Sequence, residues 1–184
     1  MKHSDKLLAF ILLVTFFLSD LAAWEKGVPS TILLAPFSHW SFTHFWQNFI
    51  AFTLLAYLRK NLISIENSII FYLIGLYFPL LLMQLYSTDY TIYKGFSHFN
   101  YYLIGYLLVV NTHRNLIFSL FFVMCLILWI SVQITSPRIL HEQVTVCGIA
   151  HLYGVCSGLV YGLLKIKKGA EAPFKKTINL NQDE

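Results

Sequence analysis

Six long apolar runs divide this chain, and they constrain its fold more than any other feature. The runs cover residues 7–24, 43–59, 68–86, 97–111, 115–134 and 146–166. A helix of about 20 apolar residues crosses the hydrocarbon core of a bilayer. The pattern therefore predicts an all-α membrane protein, a bundle of six transmembrane helices. A membrane domain over residues 1–166 and a polar cytoplasmic tail over residues 167–184 are expected.

The composition excludes two large classes of protein. Hydrophobic residues make up 57% of the 184 residues and charged residues only 12%, whereas a soluble globular domain carries about 25% charged residues. The net charge of +4 is small, and the basic residues lie in loops and in the tail. The chain therefore lacks the concentrated basic surface of a nucleic-acid binder. The lipid bilayer is its predicted partner, and nucleic acid is not.

The distribution of basic residues predicts which side of the membrane each loop faces. If the N-terminus is cytoplasmic, ten lysines and arginines lie on that side, and only Lys26, Lys94 and Arg138 lie on the other. Cytoplasmic loops carry the excess of Lys and Arg in membrane proteins. Both termini are therefore predicted to be cytoplasmic, with the second, fourth and sixth helices running from outside to inside.

The fourth apolar run is shorter than the membrane is thick. Fifteen residues at 1.5 Å each reach about 22 Å, against a hydrocarbon core of about 30 Å. If the inner end of this helix lies at the interface, Ser97 lies roughly 8 Å below the outer surface. The preceding loop, residues 87–96, must then enter the membrane, where irregular backbone is tolerated only inside protein or beside a wet cavity. The sequence therefore predicts a water-accessible cavity on the outer side of the membrane.

Polar residues collect at the outer ends of the three even-numbered helices. His44 and Asn48 lie four residues apart and share one face of the second helix. Ser97 opens the fourth helix, and Tyr101 follows it by one turn. His151 lies in the sixth helix at a depth of roughly 7–8 Å. Ser97 and His151 are therefore expected at similar depths.

Three glycines indicate how the sixth helix packs. Gly154, Gly158 and Gly162 share the helix face that carries His151. Small residues spaced by four allow two membrane helices to approach closely. The sixth helix is therefore expected to press this face against a neighbour and to bring His151 to Ser97.

A serine and a histidine at one site predict nucleophilic catalysis. Serine becomes reactive when a base within hydrogen-bond reach takes its proton, and histidine is the common base. The relevant helices contain no carboxylate in the sequence, so we predict a Ser97–His151 dyad, with Tyr101 stacked on the imidazole in place of an acid. The Ser97 backbone N–H, the His44 ring and the Asn48 amide can supply the donors that an oxyanion needs.

These motifs, in this order, resemble those of the rhomboid intramembrane serine proteases. The matching residues are H-x4-H-x3-N over 39–48, Gly95-Phe-Ser97 with Tyr101 and Gly105, and A-H-x2-G-x3-G over 150–158. The resemblance implies a six-helix fold that cleaves transmembrane protein substrates. The resemblance implies Ser97 as the nucleophile and His151 as the base. It also implies that His44 and Asn48 form the oxyanion hole. The supporting residues are Tyr101, Gly95, Gly154 and Gly158.

Two departures from the usual pattern point to one branch of that family. His98 stands where the common G-x-S-G motif has its second glycine, and Glu25 rather than arginine follows Trp24. Together with the small size, these features resemble the bacterial rhombosortases. That resemblance implies substrates with a C-terminal Gly-Gly motif, a hydrophobic helix and a basic tail. It also implies a multi-pass protein of the bacterial inner membrane whose active site faces the periplasm.

Other functions use the same residues differently. A catalytically inactive rhomboid-like protein would bind membrane clients without cutting them, although such relatives usually lack the serine or the histidine. His44, His98 and His151 are possible ligands of a metal ion or a haem, but the polar residues beside them would then have no role. We therefore predict neither a metal nor a cofactor. A transporter would show acidic residues at mid-membrane, and Asp20 alone does not meet that description.

Several single residues keep a structural interpretation beside the functional one. Asn48 can serve as a polar contact between helices, and Tyr101 and Gly105 can serve as packing residues. His39 is interpreted as a residue that holds the first loop. His98 can be a loop residue, a substrate contact or a second base.

Overall fold

The structure of the chain is a computed structural model. It describes residues 3–17, 24–25, 32–39, 41–59, 68–86, 92–112, 120, 124, 126–132, 139–141, 144–145 and 148–180. Parts of the predicted first, fifth and sixth apolar runs and the first half of the loop before Ser97, residues 87–91, lie outside these ranges.

Helices occur in all six of the apolar runs. Their bounds are α1 His3–Phe17, α2 Phe42–Arg59, α3 Ser68–Tyr86, α4 Ser97–Thr112, α5 residues 126–132 and α6 Gly148–Leu180. Two of them, over Ile69–Tyr86 and Gly148–Ile166, are long and apolar enough within the described part of the chain to cross a membrane. The helix α6 continues past residue 166 into the segment predicted as a polar tail.

Short antiparallel strand pairs tie the connections together. Strand β1 (Trp24–Glu25) pairs with β2 (Ile92–Tyr93), so that Trp24 lies opposite Tyr93. Strands β3 (Ile139–His141) and β4 (Val144–Thr145) form a second pair. The first pair joins the segment after α1 to the segment before α4, and it thereby fixes the backbone four residues before Ser97.

The largest hydrophobic core lies between α1, α2, α3 and α4. Aromatic rings fill much of it, with Phe52, Phe99 and Tyr102 fully buried. Polar contacts also cross this core, and in one of them the Tyr72 hydroxyl on α3 donates a hydrogen bond to the buried Asp5 carboxylate on α1. The helix α1 is therefore joined to the bundle by both apolar packing and a polar bond.

The closest helix pair is α4 and α6, and glycines make the approach possible. A Cβ atom at Gly154 would collide with the His98 carbonyl oxygen, and one at Gly158 with the Tyr102 carbonyl oxygen. Gly105 on α4 is pressed in the same way against the backbone of α6. The expected close contact along the glycine face of α6 is confirmed, and α4 is its partner.

The outward faces of the helices are strongly apolar. Large hydrophobic side chains such as Ile69, which is 74% exposed, and Leu85, which is 67% exposed, point away from the protein. Exposed apolar patches of this extent are unusual for a soluble monomer. In a bilayer the same side chains contact lipid.

Candidate active site

Ser97 lies at the first turn of α4, and the residues before it set that position. Gly95 has a φ of 110°, in the left-handed region that favours glycine. Its N–H donates to the Ala35 carbonyl at 3.0 Å, which anchors the turn to the segment before α2. The N–H groups of Phe99 and Asn100 then donate to the Phe96 carbonyl at 2.9 and 3.3 Å, starting the helix.

His151 on α6 meets Ser97 directly. The distance from His151 Nε2 to Ser97 Oγ is 2.9 Å, which is a hydrogen bond. The histidine is 5% exposed, and the contact of Gly154 with the α4 backbone at His98, one turn further along α6, keeps the two helices close enough for this bond.

The ring of Tyr101 lies flat against the imidazole of His151. Their centroids are 4.1 Å apart and their planes differ by 14°. The Tyr101 hydroxyl is in turn held from α5, because Trp129 Nε1 donates to it at 3.0 Å. The imidazole therefore has a stacked neighbour that limits its rotation.

His44 and Asn48 on α2 face the same turn from the other side. A Cβ atom at Gly95 would lie 2.9 Å from His44 Cε1, 3.4 Å from His44 Nε2 and 3.7 Å from Asn48 Nδ2. Within the described residues, His44 Nδ1 and Asn48 Nδ2 are buried and have no hydrogen-bond partner. Buried donors without partners are costly, and an oxygen atom of a ligand can satisfy them.

The position of Asn48 is fixed through its backbone. The Asn100 side chain on α4 donates from Nδ2 to the Asn48 carbonyl at 3.0 Å. This bond joins α2 to α4 one turn below Ser97. The sequence patterns did not single out Asn100, because an asparagine inside an apolar helix can make many different contacts.

Gly95 leaves no space for a side chain. Its positive φ disfavours other residues, and the His44 ring occupies the place that a Cβ would take. Gly95 therefore serves both the turn and the packing of α2 against it.

His39 lies beside the site rather than in it. Its ring makes edge contacts with the rings of His44, Phe45 and Phe96, at centroid distances of 5.4, 5.2 and 5.6 Å. Burial, and secondly the neighbouring His44 ring, lowers the pKa of His39 to about 3. His39 is therefore neutral at pH 7, as a packing residue should be.

Tyr93 is a contact of Ser97 that the sequence patterns did not reveal. Its hydroxyl lies 3.0 Å from Ser97 Oγ and 2.9 Å from His98 Nδ1. His98 Nε2 lies 2.8 Å from the Leu76 carbonyl on α3. His98 was the one signal in the sequence, because a histidine in an apolar segment needs polar partners nearby.

The three histidines on α2, α4 and α6 do not converge on one point. His151 Nε2 is bonded to Ser97 and His98 Nε2 to the Leu76 carbonyl. Throughout the described ranges, no three side chains of the types that bind metals come together in a cluster. These contacts do not fit the metal or haem site considered from the sequence.

The structure thus brings together residues from three helices. Ser97, His151 and Tyr101 are in direct contact, and His44 and Asn48 face Gly95 nearby. The arrangement offers a hydroxyl with an adjacent base and, across the turn, donors without partners.

Comparison with known proteins gives one family. Residues 26–168 match the Rhomboid domain, which covers most of the chain and all of the residues above. No curated protein matches the chain significantly.

Proposed function

Because the chain belongs to the rhomboid family of integral membrane proteins, which are generally intramembrane serine proteases, we propose that it is an active serine endopeptidase. Ser97 is its nucleophile and His151 its general base. The observation that carries the proposal is the 2.9 Å contact between Ser97 Oγ and His151 Nε2.

The first step transfers one proton and forms one bond. His151 Nε2 accepts the Ser97 hydroxyl proton while Oγ attacks the carbonyl carbon of the scissile peptide bond. The electron pair of the carbonyl moves to its oxygen and gives a tetrahedral oxyanion. Stacking of Tyr101 on the imidazole, at 4.1 Å, supports the ring orientation that this transfer requires.

The oxyanion is stabilised from α2 and from the start of α4. Asn48 Nδ2 and the His44 ring donate from one side, and the Ser97 N–H donates from the first turn of the helix. The absence of partners for Asn48 Nδ2 and His44 Nδ1 within the described residues supports this role.

The second half of the reaction reverses the proton transfer. The peptide C–N bond breaks, and His151 gives its proton to the leaving amine, so that the acyl group stays on Ser97. Water then attacks the ester while His151 takes its proton. The bond between the acyl carbon and Ser97 Oγ breaks, and His151 returns the proton to Oγ, which releases the new carboxyl group and restores the Ser97 hydroxyl.

The proposed topology has six spans with both termini in the cytoplasm and the site near the outer surface. The membrane domain covers residues 1–166, followed by a cytoplasmic tail. The excess of basic residues on the proposed inner side supports this orientation. In a bacterial inner membrane, the site then faces the periplasm.

The proposed substrates are transmembrane proteins with a sorting anchor at their C-terminus. The anchor consists of a Gly-Gly motif, one hydrophobic helix and a few basic residues, as the resemblance to rhombosortases implies. His98 in place of the second glycine of the serine motif supports this branch of the family.

Co-expression with a reporter tests both the activity and the substrate class. The reporter carries a periplasmic domain, Gly-Gly, one apolar helix and a basic tail, and a matched reporter carries Leu-Leu in place of Gly-Gly. We expect the wild-type protein to release the domain from the first reporter only, and Ser97→Ala to release it from neither.

The results separate the two claims. Cleavage of both reporters to the same extent would contradict the proposed substrate class but keep the protease. If Ser97→Ala cleaves as well as the wild-type protein, Ser97 is not the nucleophile. If the wild-type protein releases the domain from neither reporter, the function of an inactive client-binding relative would replace the proposed protease.

A further inference from the structure

Asn100 on α4 is a buried polar residue to which the proposed reaction gives no role. It is 4% exposed, and its N–H donates to the Phe96 carbonyl at the start of the helix. Its side chain leaves α4 and donates from Nδ2 to the Asn48 carbonyl on α2 at 3.0 Å. A carbonyl oxygen only accepts, so the amide nitrogen is the atom that faces α2. Asn100 therefore links the helix of the nucleophile to the helix of an oxyanion donor.

The Asn48 carbonyl does not require this bond for its own pairing. Inside an α-helix each carbonyl accepts from the N–H four residues further on, which for Asn48 is Phe52 within α2. The Oδ1 atom of Asn100 is buried and has no partner among the described residues, and an acceptor buried in this way lowers stability. A stabilising role in the fold therefore does not account for Asn100.

Apolar packing alone leaves the position of α2 along α4 open to small shifts. The Phe52 ring of α2 contacts the rings of Phe96 and Phe99, at centroid distances of 6.0 and 6.1 Å. The hydrophobic effect is non-directional, so such contacts survive a small sliding movement. A hydrogen bond needs a donor–acceptor distance of about 2.7–3.2 Å and a nearly straight angle. The bond from Asn100 therefore fixes the register of the two helices where the rings do not.

The two helices that this bond joins carry two parts of the proposed site. Ser97 lies three residues before Asn100 on α4. The Asn48 side chain faces the turn before Ser97, with Nδ2 3.7 Å from the place of a Cβ atom at Gly95. An oxyanion donor must lie about 2.7–3.1 Å from the oxygen that it stabilises, and a misplacement of about 1 Å can cost about 10²-fold in rate. The held carbonyl and the donor belong to one residue, so holding the first limits the movement of the second.

Resting on the proposed function, we propose that Asn100 is a positioning residue for the oxyanion hole. Its bond to the Asn48 carbonyl holds Asn48 Nδ2 at the distance from Ser97 that the oxyanion requires. In this role Asn100 touches neither the substrate nor the reacting atoms, and it exchanges no proton with them. His44, the other donor on α2, is held separately, because its N–H donates to the Ser41 side chain at the start of the helix at 3.1 Å. The influence of Asn100 is therefore exerted on Asn48.

The state of the oxyanion hole can be measured without a protein substrate. A fluorophosphonate forms a bond between serine Oγ and phosphorus while fluoride leaves and the base takes the proton. The phosphoryl oxygen then occupies the place of the oxyanion. The labelling rate of the purified full-length protein in detergent, measured at several probe concentrations, gives a maximum rate and a half-saturating concentration.

Asn100→Leu keeps the approximate size of the side chain and removes its amide. We expect the maximum labelling rate to fall by about 10- to 100-fold, because Asn48 Nδ2 is no longer held in place. The half-saturating concentration and the melting temperature stay close to the wild-type values, which separates positioning from a general structural role. A wild-type maximum rate in folded Asn100→Leu would overturn the proposal.

A matched control removes a side-chain hydrogen bond from α2 itself. The Thr53 hydroxyl, among the described residues, donates to the Phe49 carbonyl of the same helix at 2.8 Å. Thr53→Val should therefore label as the wild-type protein does. A loss equal to that of Asn100→Leu would overturn the proposal, because any weakened contact in α2 would then have the same effect.

Asn100→Asp keeps the shape of the side chain and makes the bond depend on pH. The protonated carboxyl group can donate to the Asn48 carbonyl, whereas the ionised group only accepts. Each rate is divided by the wild-type rate at the same pH, which removes the titration of the base. We expect this ratio to be highest at the low end of the pH range and to fall as the pH rises. A ratio that does not change with pH would overturn the proposal, and this result does not depend on the folding of Asn100→Leu.

The combined variant tests whether Asn100 acts through Asn48. In the Asn48→Ala background the donor is absent while the carbonyl that Asn100 holds remains, so Asn100→Leu should cause no further loss of rate. Losses that multiply would overturn the proposed route through Asn48. A wild-type protein that does not label at Ser97 would overturn the proposed function itself, and the inference with it.

Discussion

The two sides of the serine turn differ in how their polar atoms are paired. On the α4–α6 side, Ser97, His151, Tyr93 and His98 form a continuous set of hydrogen bonds that ends at a backbone carbonyl. On the α2 side, Asn48 Nδ2 and His44 Nδ1 are buried without partners among the described residues. On the paired side, the hydrogen bonds hold the nucleophile in place. On the unpaired side, the nitrogen atoms remain available to bond an oxygen atom of the substrate.

This difference agrees with the different requirements of the nucleophile and of the oxyanion donors in acyl transfer. A nucleophile must be oriented before reaction, whereas oxyanion donors must wait for a charge that exists only in the transition state. Substitutions on the two sides should therefore differ in size and in kind.

The largest effects are expected on the paired side. Ser97→Ala and His151→Ala should each lower reporter cleavage by about 10⁴-fold or more, because each removes a reacting group. Residues that act as a unit are non-additive, so the double variant should be no worse than either single one. The measurement is the cleavage rate in detergent, with the melting temperature recorded for each variant.

A matched serine provides the control. Ser157→Ala on α6 removes a hydroxyl that, among the described residues, bonds locally to the Tyr153 carbonyl at 2.7 Å, and it should leave cleavage unchanged. If the double variant were slower than both single variants by a further large factor, Ser97 and His151 would not form one unit.

The unpaired side should give the next largest effect. Asn48→Ala removes one donor and should lower the maximum cleavage rate by about 10²–10³-fold with little change in KM. The neighbouring Gln47→Ala, on the exposed face of α2, is the control and should behave as the wild-type protein. A rise in KM at an unchanged maximum rate would show that Asn48 binds the substrate instead of the oxyanion.

The turn between the two sides can be disturbed without removing a polar group. Gly95→Ala adds a methyl group that meets the His44 ring at 2.9 Å and strains a φ of 110°. We expect the cleavage rate to fall by about 10- to 100-fold, since small displacements of reacting groups cost this much. Gly162→Ala, whose methyl would meet the Val109 side chain far from the turn, should keep its activity per folded molecule. Equal losses in the two variants would mean that Gly95 affects only folding.

The smallest effect is expected at the end of the hydrogen-bond chain. His98→Gly restores the common motif and removes a residue that contacts Ser97 only through Tyr93, so the loss in cleavage rate should stay within about tenfold. The measurement is the same cleavage assay, with labelling by the fluorophosphonate alongside. A loss as deep as that of Ser97→Ala would give His98 a direct part in the chemistry.

Much of this arrangement was predictable because the sequence repeats simple spacings. Apolar runs indicated where the helices lie, and the spacing of Gly154, Gly158 and Gly162 predicted the close contact that brings His151 to Ser97. His44 and Asn48 were assigned to one helix face by their separation of four. The roles of these residues in catalysis stay predictions until an activity is measured.

Tyr93 could not be predicted in the same way. It lies in a segment without helical periodicity, and its position depends on the pairing of β2 with β1 from a distant part of the chain. Helix geometry alone indicated that the His98 side chain points about 100° away from Ser97. It could not indicate that a tyrosine hydroxyl from the preceding strand connects the two.

The most direct test of the central claim is to map where a fluorophosphonate attaches to the full-length protein. Mass spectrometry of the digested wild-type protein should find the phosphonyl group on Ser97, and His151→Ala should carry none under the same conditions, although it is folded. Attachment at another residue, or equal labelling of Ser97 in His151→Ala, would contradict a serine nucleophile activated by His151.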